Sequence, residues 1–265
     1  MAYDIKILKT RIKSVDSTFH LTKAMGLVAS SKVRRATESM LNARSFSKSL
    51  EDCMKELSSC RSCMNSPYMR NGGDRTRLIV VAGDRGLAGG YNNNIFRMAR
   101  EFPDVEFIPI GKRACDKYGD GFVSCEKFSS ADADSLADKL LADFSEEKYD
   151  RLGIISTHYI SMMKQDPVVK WVLPIVPSDS SSSGTVFEPT EEEVFPTAVK
   201  LYVAGIIMAS VRESFASEVA ARRVAMDSAG KNAKKMIDDL TISYNRARQG
   251  AITQEITEIV AGAGR

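Results

Sequence analysis

The first 64 residues contain no proline and a single glycine, Gly26. Along them, apolar residues fall at Ile5, Leu8, Ile12, Val15 and Phe19, in alternating steps of three and four. The seam resumes at Ala36, Met40, Ala43, Phe46, Leu50, Cys53, Leu57, Cys60 and Met64. This heptad-like stripe predicts a helix lying along another helix. At 1.5 Å per residue it would reach roughly 90 Å. A helix that long cannot be buried inside a globule of 265 residues.

The C-terminal part supplies the partner. From about Ala198 to Val260 there is again no proline, and Val219, Met226, Ala233, Leu240 and Ala247 recur at intervals of seven. Phe215, Ala229, Met236 and Tyr244 fill in between them. Two single-seam helices bury their seams most simply against each other, as an antiparallel pair. The expected organisation is an N-terminal coiled-coil helix over 1–66, a central domain over 67–190 and a C-terminal coiled-coil helix over 191–265.

The middle has a different texture. Asn71-Gly72-Gly73-Asp74 breaks the helix, and Leu78–Ala82 is a short apolar run suited to a buried strand. Asn94–Phe102 and Leu136–Phe144 read as helices. Val105–Ile110 and Leu152–Ser156 read as strands, and Val168–Val176 as an edge strand interrupted by Pro174. Alternating strands and helices predict a small Rossmann-like α/β domain with a largely parallel sheet. Ser178–Gly184, rich in serine, reads as a flexible surface loop. The fold class is therefore α/β, with a long antiparallel two-helix coiled coil.

Lys and Arg total 37 against 34 Asp and Glu, a net charge of +3 that is too even to indicate a bulk nucleic-acid binder. The N-terminal stretch has interspersed charges and no apolar core of leader length. The most apolar stretch, Leu201–Val211, is about half of what spans a bilayer. A soluble or peripheral protein is expected. Five cysteines, an odd number, fit reduced thiols better than a disulfide framework.

Gly83-Asp84-Arg85-Gly86-Leu87-Ala88-Gly89-Gly90 lies between a strand and a helix, where phosphate-binding loops occur. Its spacing is neither GxGxxG nor GxxxxGK[ST], which favours a tight structural turn over a nucleotide cradle. Cys60-Arg61-Ser62-Cys63 is a lone CxxC inside the predicted helix, where thiols packing in the seam is the simpler reading. His20 and His158 lie in different segments, one flanking the seam and one at a strand end. No GxSxG, HExxH or Asp-rich metal loop is present, so nothing supports a catalytic centre, a metal site or a bound cofactor.

The basic residues are more informative. Between Lys6 and Arg44 nine cations stand against Asp16 and Glu38, leaving +7 on half a helix. That is either a solvated face or a docking surface for acidic loops. Aromatics are sparse there (Phe19 and Phe46), which argues against a nucleic-acid partner.

Thr22-Lys23-Ala24-Met25-Gly26-Leu27-Val28-Ala29-Ser30-Ser31-Lys32 closely resembles the N-terminal signature of the gamma subunit of rotary F-type ATP synthases. Gly83–Leu87 with Gly89-Gly90, Ala221–Met226, and the tail Tyr244–Val260 resemble the same family, in order and across nearly the whole chain. The resemblance implies a central rotor shaft that makes and breaks no covalent bond. It implies a coiled coil inside a ring of alpha and beta subunits, with the α/β domain as the foot on a membrane c-ring beside epsilon. The place implied is peripheral, at the cytoplasmic face of a bacterial plasma membrane.

Carried over residue by residue, the resemblance puts Arg248, Gln249 and Thr253 against a beta-subunit loop, with Arg222 at another beta contact. Met25 would lie near beta's acidic lever, where Lys23, Lys32, Arg34 and Arg35 suit an acidic partner. Phe187 and Glu188, in Thr185-Val186-Phe187-Glu188, resemble the segment that meets the c-ring and epsilon. Position 88 is alanine where relatives often carry cysteine. Two other readings remain: a nucleotide-binding α/β protein with helical arms, and a coiled-coil nucleic-acid adaptor.

Overall fold

The computed structural model describes residues 2–70, 72–178 and 187–263. The chain forms two compact units. One runs from Ser31 to Ala221, and the other combines the stretch ending at Ser30 with the stretch starting at Arg222. Two long helices, α1 (Ala2–Ser59) and α5 (Glu191–Ala263), contribute to both.

α5 begins at Glu191, seven residues before the proline-free stretch from Ala198, with Pro196 in its second turn. Proline there forfeits one backbone bond. Three acidic residues, Glu191 to Glu193, favour the positive end of the helix dipole, and Phe195 and Val199 are fully buried. α1 stops at Ser59, close to the start of α5, where Ser62 Oγ donates to Glu191 Oε2 at 2.6 Å. Two short 3-10 turns follow, Arg61–Asn65 and Pro67–Met69.

The larger unit holds a four-stranded sheet in the order β2-β1-β3-β4. β1 (Thr76–Val81) pairs in parallel with β2 (Glu106–Ile110) and β3 (Arg151–Tyr159), and β4 (Gln165–Leu173) runs antiparallel at the edge. Between them lie α2 (Tyr91–Ala99), α3 (Lys112–Tyr118) and α4 (Ser130–Ser145). β1 alternates between two cores because successive side chains leave opposite faces. Ile79 and Val81 pack with Leu140 and Phe144 of α4 and Val199 and Val203 of α5. Leu78 and Val80 pack with Tyr91, Ile95 and Ala114. The apolar stretch of α5 thus covers a sheet. Each expected strand is present, and the helix expected over 94–102 occupies Tyr91–Ala99.

Within this unit the seam of α1 departs from the expected stripe at two positions. Met40, Ser47 and Met54 are buried, whereas Phe46 and Cys53 are exposed. Met40, Ser47 and Met54 keep the interval of seven, so the buried line runs one residue beyond the expected positions 46 and 53. Leu50 fills the space over Gly205 of α5, where any Cβ would meet its Cδ1.

In the smaller unit, α1 and α5 pair antiparallel. A Cβ at Gly26 would lie 3.6 Å from Met226 Cβ, and one at Gly230 would lie 3.6 Å from Thr22 Oγ1. Ile5, Leu8, Ile12, Val15 and Phe19 are half-buried as the spacing predicts. Met226 and Ala233 are buried, and Leu240 and Ala247 are half-buried. Met236, expected to fill the seam, is exposed, and Ile237 is half-buried beside it.

Candidate functional site

In the β2-β1-β3 order, the connections leaving β1 and β2 run to opposite sides of β1. That makes the carboxyl ends of β1 and β3 the switch point where open α/β sheets hold their ligands. The Gly83–Gly90 turn sits at the end of β1. Gly83 N–H donates to Asn92 Oδ1 at 2.9 Å. The next two amides, of Asp84 and Arg85, donate to Glu218 Oε2 and Oε1, each at 3.2 Å. Glu218 stands on α5 and is 1% exposed. A Cβ at Gly83 would lie 2.8 Å from Glu218 Cδ, so the close approach requires glycine.

The backbone donors that would cradle a phosphate are therefore aimed at a carboxylate of the chain itself. The glycine-rich segment is a structural turn, and its anion is Glu218. The turn is fixed on a second side by the Asp84 carboxylate, which accepts from Cys125 N–H and Ser124 Oγ at 2.7 Å and from Glu126 N–H at 3.1 Å. Burial, with the nearby Asp84 charge, pushes the Cys125 thiol well up.

More of α5 reaches the same crevice. Tyr91 Oη donates to Ser214 C=O at 2.8 Å, and Thr157 N–H donates to Ser214 Oγ at 3.1 Å. Glu213 Oε1 accepts from Tyr159 N–H at 2.9 Å and pairs with His158 Nδ1 at 2.7 Å and with Arg44 of α1. Burial raises the Tyr91 phenol well above its ordinary value. Sequence reasoning missed Glu218. The signal was a lone acid in Phe215–Ala221, in line with Val211 and Ser214 on one helical face.

The residues expected to meet partners are placed as follows. Lys23 is exposed on α1 and lines a cleft of about 360 Å³ in the smaller unit, together with Arg223, Lys231 and Lys234 of α5. Asp227, paired with Lys231 at 2.7 Å, is the acid in that lining. Met25 and Arg222 are half-buried. Arg248, Gln249 and Thr253 are exposed on α5, with Thr253 Oγ1 donating to Gln249 C=O at 3.0 Å. Gln249 lies 23 residues beyond Met226, roughly 35 Å along the helix. The tail residues and Lys23 therefore lie in separate regions of the smaller unit.

Of the expected docking cations, Lys32 is paired with Glu126 across the chain, while Arg34 meets Glu38 only in an exposed pair one helical turn apart. Phe187 is half-buried against the larger core, and Glu188 is exposed. Thr185, Val186 and residues 179–184 of the serine-rich loop lie outside the described residues. The CxxC thiols face backbone, Cys60 Sγ to Glu56 C=O at 3.6 Å and Cys63 Sγ to Glu191 C=O at 3.7 Å. Burial first, and nearby Glu191, raise both thiols.

The fold and this filled crevice define an α/β protein with two long helices in antiparallel coiled-coil pairing. The family described as ATP synthase matches residues 4–264. The ATP synthase gamma chain of Ruminococcus albus is 38% identical, over 97% of this chain and 96% of that one. That of Geotalea daltonii is 34% identical, over 98% and 97%. The chain belongs to the ATP synthase gamma chain family. The same fold occurs in a chain of the Euglena gracilis mitochondrial ATP synthase rotor, with a TM-score of 0.65 and 16% identity over 95% of this chain and 100% of that chain. It occurs also in the central stalk and c-ring structure of Tetrahymena thermophila, with a TM-score of 0.62 and 21% identity over 79% and 99%.

Proposed function

We propose that the chain is the central rotor shaft of an F-type ATP synthase and performs no bond chemistry itself. It couples ion passage through a membrane c-ring to ATP synthesis or hydrolysis at the beta subunits. Family membership over nearly the full length carries this reading. Residues 1–66 and 191–265 serve as the shaft and 67–190 as the foot. Coupling is differential contact energy: the shaft's unlike faces favour different conformations of three like partners.

Lys23, Met25 and Arg222 form one beta contact, and Arg248, Gln249 and Thr253 another. The cationic cleft and the exposed tail residues support both assignments. Glu188, with Phe187 anchoring its segment to the core, meets the c-ring or epsilon. The chain's place is the cytoplasmic face of the bacterial plasma membrane, held there through the complex. The test is recovery of a tagged chain from membranes in mild detergent. Co-recovery of alpha, beta, epsilon and c subunits with ATPase activity is expected. A folded, abundant chain recovered alone and without ATPase would overturn the reading.

A further inference from the structure

The buried face of α5 changes character along its length. Val199, Val203, Ile206, Ile207 and Val211 are apolar. Such contacts are non-directional and do not by themselves fix how far a helix is turned or slid. The next stretch is polar and equally buried. Ser214 and Ser217 are 0% exposed and Glu218 is 1% exposed. Their partners are fixed points of the sheet: the Asp84 and Arg85 amides after β1, the Thr157 amide and carbonyl on β3, and the Tyr91 hydroxyl at the start of α2.

Turning or sliding α5 by one residue would strip these groups of their partners. A carboxylate is the costliest of them to leave unmatched in a buried site. Asp84 extends the connection, because its own carboxylate grips Ser124, Cys125 and Glu126. The segment leading to α4 is thereby tied to the same turn.

Resting on the rotor reading, we propose that Glu218 is the key that locks the rotational register of α5 in the α/β domain, so that torque crosses between sheet and helix at the Gly83–Arg85 turn. The crevice that related folds use for a ligand here serves as a socket. Glu218 acts through the turn's amides and is a positioning residue.

The experiment uses membranes carrying the complete complex. Pumping per ATP hydrolysed is compared for the natural chain, Glu218→Ala and Ile206→Ala. Formate is the probe, since it presents the same two oxygens to the freed amides. In Glu218→Ala, pumping per ATP falls about fivefold, the loss expected for removing charge-assisted bonds, and added formate restores at least half of it. Ile206→Ala, which removes packing alone, does not respond to formate. Unchanged coupling in Glu218→Ala, or a loss that formate leaves untouched, would overturn the proposal.

If the alanine chain does not assemble, Glu218→Gln is read instead. It keeps the bulk but offers one acceptor oxygen in place of two. Partial loss of coupling is expected, and full coupling would overturn the lock. Failure of the natural chain to assemble or pump would count against the rotor reading itself.

Discussion

Arg77 Nη1 lies 2.7 Å from Asp143 Oδ2, with the two side chains 9% and 13% exposed. The same guanidinium reaches Glu106 Oε2 at 2.7 Å and lies 4.5 Å from the Tyr149 ring centroid. One cation on β1 thus ties α4 to β2. Arg77→Met keeps the apolar stem but leaves Asp143 with Lys148 as its remaining cation. Breaking a buried pair on one side is strongly destabilising. Because Lys148 stays, the expected loss is about 2 kcal/mol, read as a lower urea midpoint at unchanged slope. A midpoint within error of the natural chain would show that the pair contributes nothing.

The same group sets an acid limit. Hydrogen bonds from Lys148 and then Arg77 hold the Asp143 carboxyl below the usual carboxylate range. Arg75 does the same for Asp150. A carboxyl whose folded value is depressed stabilises the fold fully above its unfolded value of about 3.9. That contribution is lost as pH falls through the lower, folded value. Asp143→Asn is expected to flatten the fall of melting temperature below about pH 4. Parallel curves for the variant and the natural chain would remove Asp143 from the account.

Gly111 and Gly119 share a positive φ, at 96° and 100°, but differ in surroundings. A Cβ at Gly111 would lie 2.0 Å from the Ala82 carbonyl oxygen, whereas one at Gly119 meets nothing within 4 Å. Gly119→Ala should cost only the conformational strain, about 1 kcal/mol. Gly111→Ala adds a backbone clash beside the Gly83 turn and should cost at least about twice as much. Equal melting temperatures would place the strain elsewhere.

The long helices were legible because a period near 3.5 is written in which residues are apolar, and the α/β middle because short apolar runs alternate with helical stretches between breakers. The interval of seven from Val219 to Ala233 survives in the burial. The position of Phe46 was not legible. Which residue of the helix turns inward there, and that Gly205 admits Leu50, depend on what lies opposite. Glu218 was hidden for a related reason. A buried acid is recognisable only once its donors are in place, and these are amides from a turn more than 130 positions away. The separateness of the Lys23 and Gln249 regions follows from helix length alone.

Lys23 and Lys32, nine positions apart on α1, respond differently to charge reversal. Lys32 is paired with Glu126 on the sheet unit, so Lys32→Glu sets two carboxylates against each other and lowers the stability of the chain. Lys23 is exposed in the wall of a cleft whose lining carries Arg223, Lys231 and Lys234. Lys23→Glu should leave stability within about 0.5 kcal/mol, as surface changes do. If the cleft meets acidic partner loops, the reversal instead changes ATP-driven pumping in the assembled complex, and more so at low salt, where exposed charges are least screened. Melting of the purified chain and pumping by membranes, measured side by side, separate the two residues. Unchanged pumping by Lys23→Glu membranes at low salt would remove Lys23 from the coupling surface.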